Sequence, residues 1–413
     1  MAEAKQSSIG LGGNYLLTLS IGEVPVALSP TSFTSLNIIE YLDRPLPYFD
    51  ITFNDAAGVL THTLVLDSAW NTIKLMFANA MKPADKKWMT FRIYRRKPMS
   101  ITGMSSAIQL TGFLDIPNMF SPRYERGWAD KSVAVILREI MEDLKLTEED
   151  FDPDLDKTKI SIVQPEWSNS LFLKYLSASL LSKEKSSGFF SFIDSPAQSA
   201  TSKTAKSRLV FRSLASLLEE SNKYDFVYSG VPQKDALPIY SFQAVDNFEV
   251  LNTLGVGKQL YSYFDYENGE AVDAELGLTE AGFKSLAQYY SYDPQIGTEG
   301  LRKFYGRTNA FESDYDAWIK GPYEKKVNTL GQLWVNTMGV TDIRCGDIVK
   351  VVFLANAKSL ASCQYSGYWL VLRIIHHFAD TYETRLLLTR SGVNTDVETR
   401  LTKATFVKGA LAG

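Results

Sequence analysis

DIRCGDIVKVVF (342–353) and SGYWLVLRIIHHFADTYETRLLLTRSG (366–392) decide the fold. Three strands are read from them, Ile348–Leu354, Tyr368–His376 and Tyr382–Thr389, each dense in Val, Ile, Leu and aromatic residues. Cys345-Gly346-Asp347 and Tyr365-Ser366-Gly367 supply the turns that separate them. A β-barrel closed by the RLLLTRSG strand is expected over 208–250 and 326–395.

The first 125 residues carry the same signal in shorter pieces. Tyr15, Leu17, Leu19 and Ile21 alternate with Thr18 and Ser20, and Phe49, Ile51 and Phe53 alternate with polar neighbours. Met89, Phe91 and Ile93 do the same, as do Ile108, Leu110 and Leu114. Period-two alternation buries one face of each strand, which predicts a first barrel over 1–125. The period changes near Trp128: Val133, Ile136, Leu137, Ile140 and Leu144 recur at helical spacing, with Arg138, Glu139, Glu142 and Asp143 outward and Asp130 or Ser132 as the cap. A second helix is read through SNSLFLKYLSASLL, with Leu171, Tyr175 and Leu176 inward. The chain is thus expected to have a β-rich α+β fold of two antiparallel β-barrels, with a small helical and mixed module inserted at 126–207. Within that module, 194–207 lacks large apolar side chains and reads as a mobile loop. Residues 251–325 read as a mixed insertion with a short helix near Thr279–Tyr289, and 396–413 as a C-terminal tail.

The composition of these 413 residues is that of an ordinary globular protein, 45% hydrophobic and 22% charged, with 12% aromatics. Lys+Arg 43 against Asp+Glu 47 leaves a formal charge of −4, which argues against general binding of nucleic-acid backbones. Two cysteines, Cys345 and Cys363, cannot staple such a chain. One bridge fits, and two buried reduced thiols fit better. No secretory leader, membrane span or glycosylation site is read, so synthesis in a cytosol without membrane insertion is expected.

The motifs that carry chemistry fail on inspection. Gly255-Val256-Gly257-Lys258 lacks the phosphate loop's first glycine, where Asn252 stands, and its Ser/Thr, where Gln259 stands. Asp152, Asp154 and Asp156 begin like a calcium loop, but Lys157 replaces the turn glycine and Val163 the bidentate glutamate. His376 and His377 are adjacent on a strand and point to opposite faces, and His62 stands alone. Glu219-Glu220 and the six carboxylates of 148–156 read as solvated clusters. Residues 82–97 hold seven Lys/Arg against one Asp and end in Arg95-Arg96-Lys97. They read as a hairpin able to meet an acidic surface, or as a charged edge that resists stray pairing. No catalytic residue, cofactor site or metal site is expected.

Three segments together resemble one family. DKSVAVILREIMEDLKL, PEWSNSLFLKYLSASL and the C-terminal run are similar to the contractile-tail baseplate hubs of phages, including the late-control D proteins and the hub part of type VI secretion spikes. The resemblance implies that both barrels are tail-tube-like. It also implies a homotrimeric ring joining a hexameric tail tube protein to a trimeric central spike or tail tip protein, with DNA passing through the lumen unbound. Baseplate wedge proteins and a tape measure are further implied partners, and the virion tail is the implied location after synthesis in the host bacterial cytoplasm. The alternative is a β-rich carbohydrate-binding or carbohydrate-degrading phage tail protein, with Tyr315, Trp318 and Tyr323 as its stacking residues.

Overall fold

The computed structural model describes residues 14–22, 24–26, 33–54, 72–100, 106–182, 187–197, 206–229, 236–246, 258–265, 270–277, 303–305, 321, 325, 331–354 and 365–390. The first unit is built from β1 (Tyr15–Ile21), β2 (Val24–Pro25), β3 (Phe33–Tyr41), β4 (Tyr48–Asn54), β5 (Thr72–Asn79), β6 (Lys87–Ser100) and β7 (Ser106–Leu114). They lie in the order β3–β4–β7–β6–β5–β1–β2, antiparallel throughout. The alternating apolar residues named above fill its core; only Ile93 is half-buried.

The module begins with β8 (Tyr124–Ser132), a strand that runs up to the expected helix cap. This stretch is extended because it pairs with β10 (Lys159–Trp167), a partner that its own sequence does not announce. Helix α1 (Val133–Asp143) starts at Ser132, whose side chain caps Val135 N, and all five residues of its expected stripe are buried. Ser132→Ala should therefore cost about 1 kcal/mol, read as a lower midpoint in urea unfolding. Helix α2 (Asn169–Ser179) is capped by Ser168, which sets its phase: Phe172, Leu173 and Leu176 go inward, and Leu171, expected inside, is exposed.

The acidic run read as a loop contains β9 (Glu148–Phe151) and one turn of 3-10 helix, Pro153–Asp156. β9 lies parallel to β12 (Arg208–Ser213), which also pairs with β11 (Phe189–Asp194); α3 (Leu214–Leu218) follows. This three-stranded sheet buries both faces. Phe189, Ile193, Leu209 and Phe211 join the core of the first unit, while Phe190, Phe192 and Val210 join the second core. The segment 208–250 is thereby divided, its first six residues pairing within the module's sheet. Of the loop 194–207, residues 198–205 lie outside the described residues. Its roots are tied by Arg208 on Asp194 and by a hydrogen bond between the Ser195 and Ser207 hydroxyls.

The second unit contains β13 (Tyr224–Tyr228) and β14 (Leu237–Asp246). β15 (Lys258–Asp265), β16 (Glu270–Gly277) and β17 (Lys303–Tyr305) form a separate small sheet from the insertion. The helix read near 279–289 lies outside the described residues. The chain returns to the barrel with β18 (Gly331–Met338), β19 (Ile348–Phe353), β20 (Gly367–Phe378) and β21 (Tyr382–Arg390). The six strands β19–β13–β14–β18–β21–β20 close on themselves, because β19 pairs with both β13 and β20. The ladder is antiparallel except at β13, which runs parallel to both neighbours. The fold is β-rich, with three helices among the described residues.

Candidate functional site

The two units are not beads on a string: β20 of the barrel pairs antiparallel with β3 of the first unit from Arg373↔Tyr41 to Phe378↔Leu36. One continuous antiparallel sheet results, β14–β18–β21–β20–β3–β4–β7–β6. Its inner face is the core. Its other face carries Asn37, Thr52, Gln109, His377, Gln332, Asn336, Ser241 and Gln243, as the register places them. From β14 through β7 the charges placed on that face, Arg373 and Arg385 against Asp50 and Glu383, balance among the described side chains. The face is held by its own polar pairs: Gln109 donates to Asp50 at 2.7 Å, Asn336 donates to Ser241 at 2.7 Å, and Arg373 lies over the Tyr41 ring at 4.8 Å.

Under the joint sits a buried charged cluster. Lys87, fully buried, reaches Glu40 Oε1 at 2.5 Å, and His376 Nε2 lies 3.0 Å from the same oxygen. His376 Nδ1 meets the Tyr382 hydroxyl at 2.8 Å. A neutral imidazole that donates from Nε2 to Glu40 leaves Nδ1 as an acceptor toward the Tyr382 hydroxyl, whose single proton also faces the Val340 carbonyl oxygen at 3.1 Å. Burial pushes His376 below its ordinary value of 6.5 and so favours that neutral form. Burial alone would raise the Glu40 carboxyl, but Lys87 and then His376 outweigh it and hold it at about 2. Phe77, Phe378 and Tyr382 wall the cluster, with Phe378 and Tyr382 stacked at 4.4 Å.

The sequence-level candidates are dispersed. His376 and His377 do point to opposite faces: His376 enters the cluster, and His377 bonds Asn37 at 2.7 Å. Lys87, counted with the exposed basic run, is buried by Glu40. The run is no edge in its first half, since Lys87–Arg92 pairs with β5 and Phe91–Ser100 with β7. Arg95, Arg96 and Lys97 are exposed beyond a bulge at Ile93/Arg95. The carboxylates of 148–156 are not simply solvated: Arg212 bonds Asp150 and Asp152, Arg138 bonds Glu149 and Asp156, and Asp154 is buried. Glu220 also reaches Arg212, whereas Glu219 is exposed. Cys345 is a buried free thiol that burial pushes well up. Gly255, Val256, Gly257, Asn252, His62, Cys363, Tyr315, Trp318 and Tyr323 lie outside the described residues. Among the described residues no three His, Cys, Asp or Glu side chains are grouped to hold a metal ion.

No family model matches the chain, and no curated protein matches it. Solved structures do. A tail protein from Neisseria meningitidis MC58 superposes with a TM-score of 0.56 at 11% identity, covering 92% of this chain and 98% of the other. The 43 kDa tail protein of prophage MuSo2 from Shewanella oneidensis gives 0.56 at 9% identity, over 92% and 100% of the two chains. A type VI secretion component of E. coli, described as similar to T4 bacteriophage tail proteins, gives 0.48 at 10% identity over 90% and 76%. The chain therefore has the fold of phage tail proteins. The PdpA–VgrG complex of Francisella gives 0.48 at 10% identity over 91% and 58% of the two chains.

Proposed function

We propose that this chain is a structural baseplate hub of a phage tail: a homotrimeric ring that joins the hexameric tail tube to the trimeric central spike and lets DNA pass. The observation that carries the reading is the continuous sheet. Each chain holds the seven-stranded first unit and the six-stranded barrel side by side in one ladder, so three chains supply six units to a sixfold partner while keeping threefold symmetry for the spike. Strand parity agrees. The lengths of β14 and β6 beyond their pairings with β13 and β5, residues 239–246 and 93–100, run in opposite directions, so head-to-tail copies can meet antiparallel there and close a ring.

The outer face of that sheet suits a lumen. It carries amides and hydroxyls, and its charges balance from β14 through β7, so the cationic anchors that a passing polyanion would meet are confined to β6. Arg92, Arg95 and Lys97 of β6 stand at one margin. The role is structural rather than catalytic, in the virion tail, with the tube protein, the spike or tail tip protein, wedge proteins and a tape measure as partners, after synthesis in the host cytoplasm. The residues named for the carbohydrate reading, Tyr315, Trp318 and Tyr323, lie outside the described residues. Light scattering on the purified chain should give about three times its 46.3 kDa mass. A chain that stays monomeric alone and also with its tube and spike proteins would sink the reading.

A further inference from the structure

Strands β3, β4, β5, β6 and β7 of the first unit and β14, β18, β19, β20 and β21 of the barrel repeat one pattern of pairing. In each set the first strand pairs with the second, the second with the fifth, the fifth with the fourth and the fourth with the third, all antiparallel. The bulges coincide as well. One residue is extra at Thr34 in β3 and at Tyr240 in β14, and one at Tyr94 in β6 and at Leu372 in β20. Aligning the strands on those bulges sets Tyr48 on Gln332 and Phe113 on Thr389. Tyr48 pairs with Phe113, and Gln332 pairs with Thr389, so the alignment closes without a slip.

One joint of this pattern is filled within the chain and its counterpart is not. The edge of β20 that pairs with β19 over 367–370 passes to β3 over 373–378. The matching edge of β6 pairs with β5 over 87–92, and no described strand pairs with it over 93–100. On β14, the counterpart of β3, no described strand pairs with 239–246 on the edge away from β18.

We propose that β6 of one copy pairs with β14 of the next copy in the register that β20 and β3 keep within the chain. This rests on the ring reading above and gives the ring its seam. Carrying the pairs from Ile374↔Glu40 to Phe378↔Leu36 across the alignment sets Arg96 of one copy opposite Asp246 of the next. Lys97 then stands opposite Val245, Pro98 opposite Ala244, Met99 opposite Gln243 and Ser100 opposite Phe242. Arg96 and Asp246 bring opposite charges to one cross-strand position, a favourable pair. Lys97 and Val245 share the outer face with their neighbours Gln109 and Gln332, as Ile375 and Ile39 share it at the joint within the chain. A slip of one residue would set the outer face of one copy against the core face of the next. In a closed ring the seam covers both bare edges of every copy, and bare edges invite stray pairing.

Lys97→Cys and Val245→Cys in one chain, oxidised with copper phenanthroline and run on a denaturing gel, test the register. Paired residues of an antiparallel ladder have Cα atoms about 4.5 or 5.5 Å apart, within disulfide reach. Most of the chain should run as covalent dimer and trimer. Lys97→Cys with Ser241→Cys, whose second site lies ~14 Å further along β14, should stay monomeric on the gel, as should each single variant. Should Val245→Cys disturb β14, Met99→Cys with Gln243→Cys carries the same expectation at the next outer pair. A threefold particle in light scattering that cross-links through Ser241, or through none of these pairs, overturns the register and leaves the hub reading standing. A chain that stays monomeric alone and with its tube and spike proteins overturns both.

Discussion

Lys87→Met is expected to destabilise the chain by roughly 3–5 kcal/mol, the usual consequence of removing one partner from a buried ion pair. The methionine fills the space but strands Glu40, which is 4% exposed and has His376 as its other partner. Adding Glu40→Gln should recover at least half of the loss, since the amide keeps an oxygen for His376 and leaves no buried charge. Urea unfolding of the two single variants and the double variant gives the coupling directly. Near-additive losses would mean that the pair contributes nothing through its charge.

The same cluster sets a pH dependence. Both Glu40 and His376 have folded values below their unfolded ones, so the unfolded chain takes up protons first as pH falls. Their contribution is complete above about 6.5, begins to fall below that as His376 resists protonation, and falls further between 4.5 and about 2 as Glu40 must be protonated. The Glu40 part is on the order of 3 kcal/mol. The Lys87→Met chain should lose most of that acid sensitivity, which unfolding midpoints at pH 7, 5 and 3 would register.

Gly112→Ala is the second large effect, expected at about 3 kcal/mol, the upper end for overpacking a core. A Cβ at this position would lie 2.2 Å from the Arg92 carbonyl oxygen and 2.4 Å from Phe49 Cε1. Neither can retreat: the carbonyl belongs to β6 at its bulge, and Phe49 is fully buried against Phe91 at 5.0 Å. Gly127→Ala is the control. Its Cβ would meet Val163 Cγ2 at an ordinary 3.6 Å, so the change should move stability by less than about 1 kcal/mol. Equal losses in the two variants would show that backbone freedom, not crowding, governs both sites.

The strands that the sequence makes legible are those with one buried face. Period-two alternation survives in β1, β4 and the second half of β20 because their other side is mostly half-buried and polar, and the stripe of α1 is legible because its opposite face is charged. In the module's sheet only β12 is legible, through Leu209 and Phe211, and its two partners are hidden by the opposite circumstance. FFSFID of β11 buries both faces, so no alternation remains, and EEDF of β9 shows charges because Arg208, Arg212 and Arg138 cover them from elsewhere in the chain. Leu171 was misplaced because three apolar residues in a row leave the helix phase open until Ser168 fixes it. The buried cluster is legible in its histidine alone, since one of the His376–His377 pair must face inward; Glu40 and Lys87 meet it only through the β20–β3 ladder, and each looks like a surface residue alone. A lysine at an inward position of a strand, as Lys87 is beside Met89 and Phe91, is the one further signal available.

The central claim is that the eight-stranded sheet of each chain becomes one third of a closed ring. Cryo-electron microscopy of the purified chain, alone and with its tube partner, tests it most directly. A threefold particle with a central hole lined by three copies of β14 through β6 is the predicted result. A ring whose hole is lined by the inserted modules, or a particle without threefold symmetry in both preparations, would contradict it.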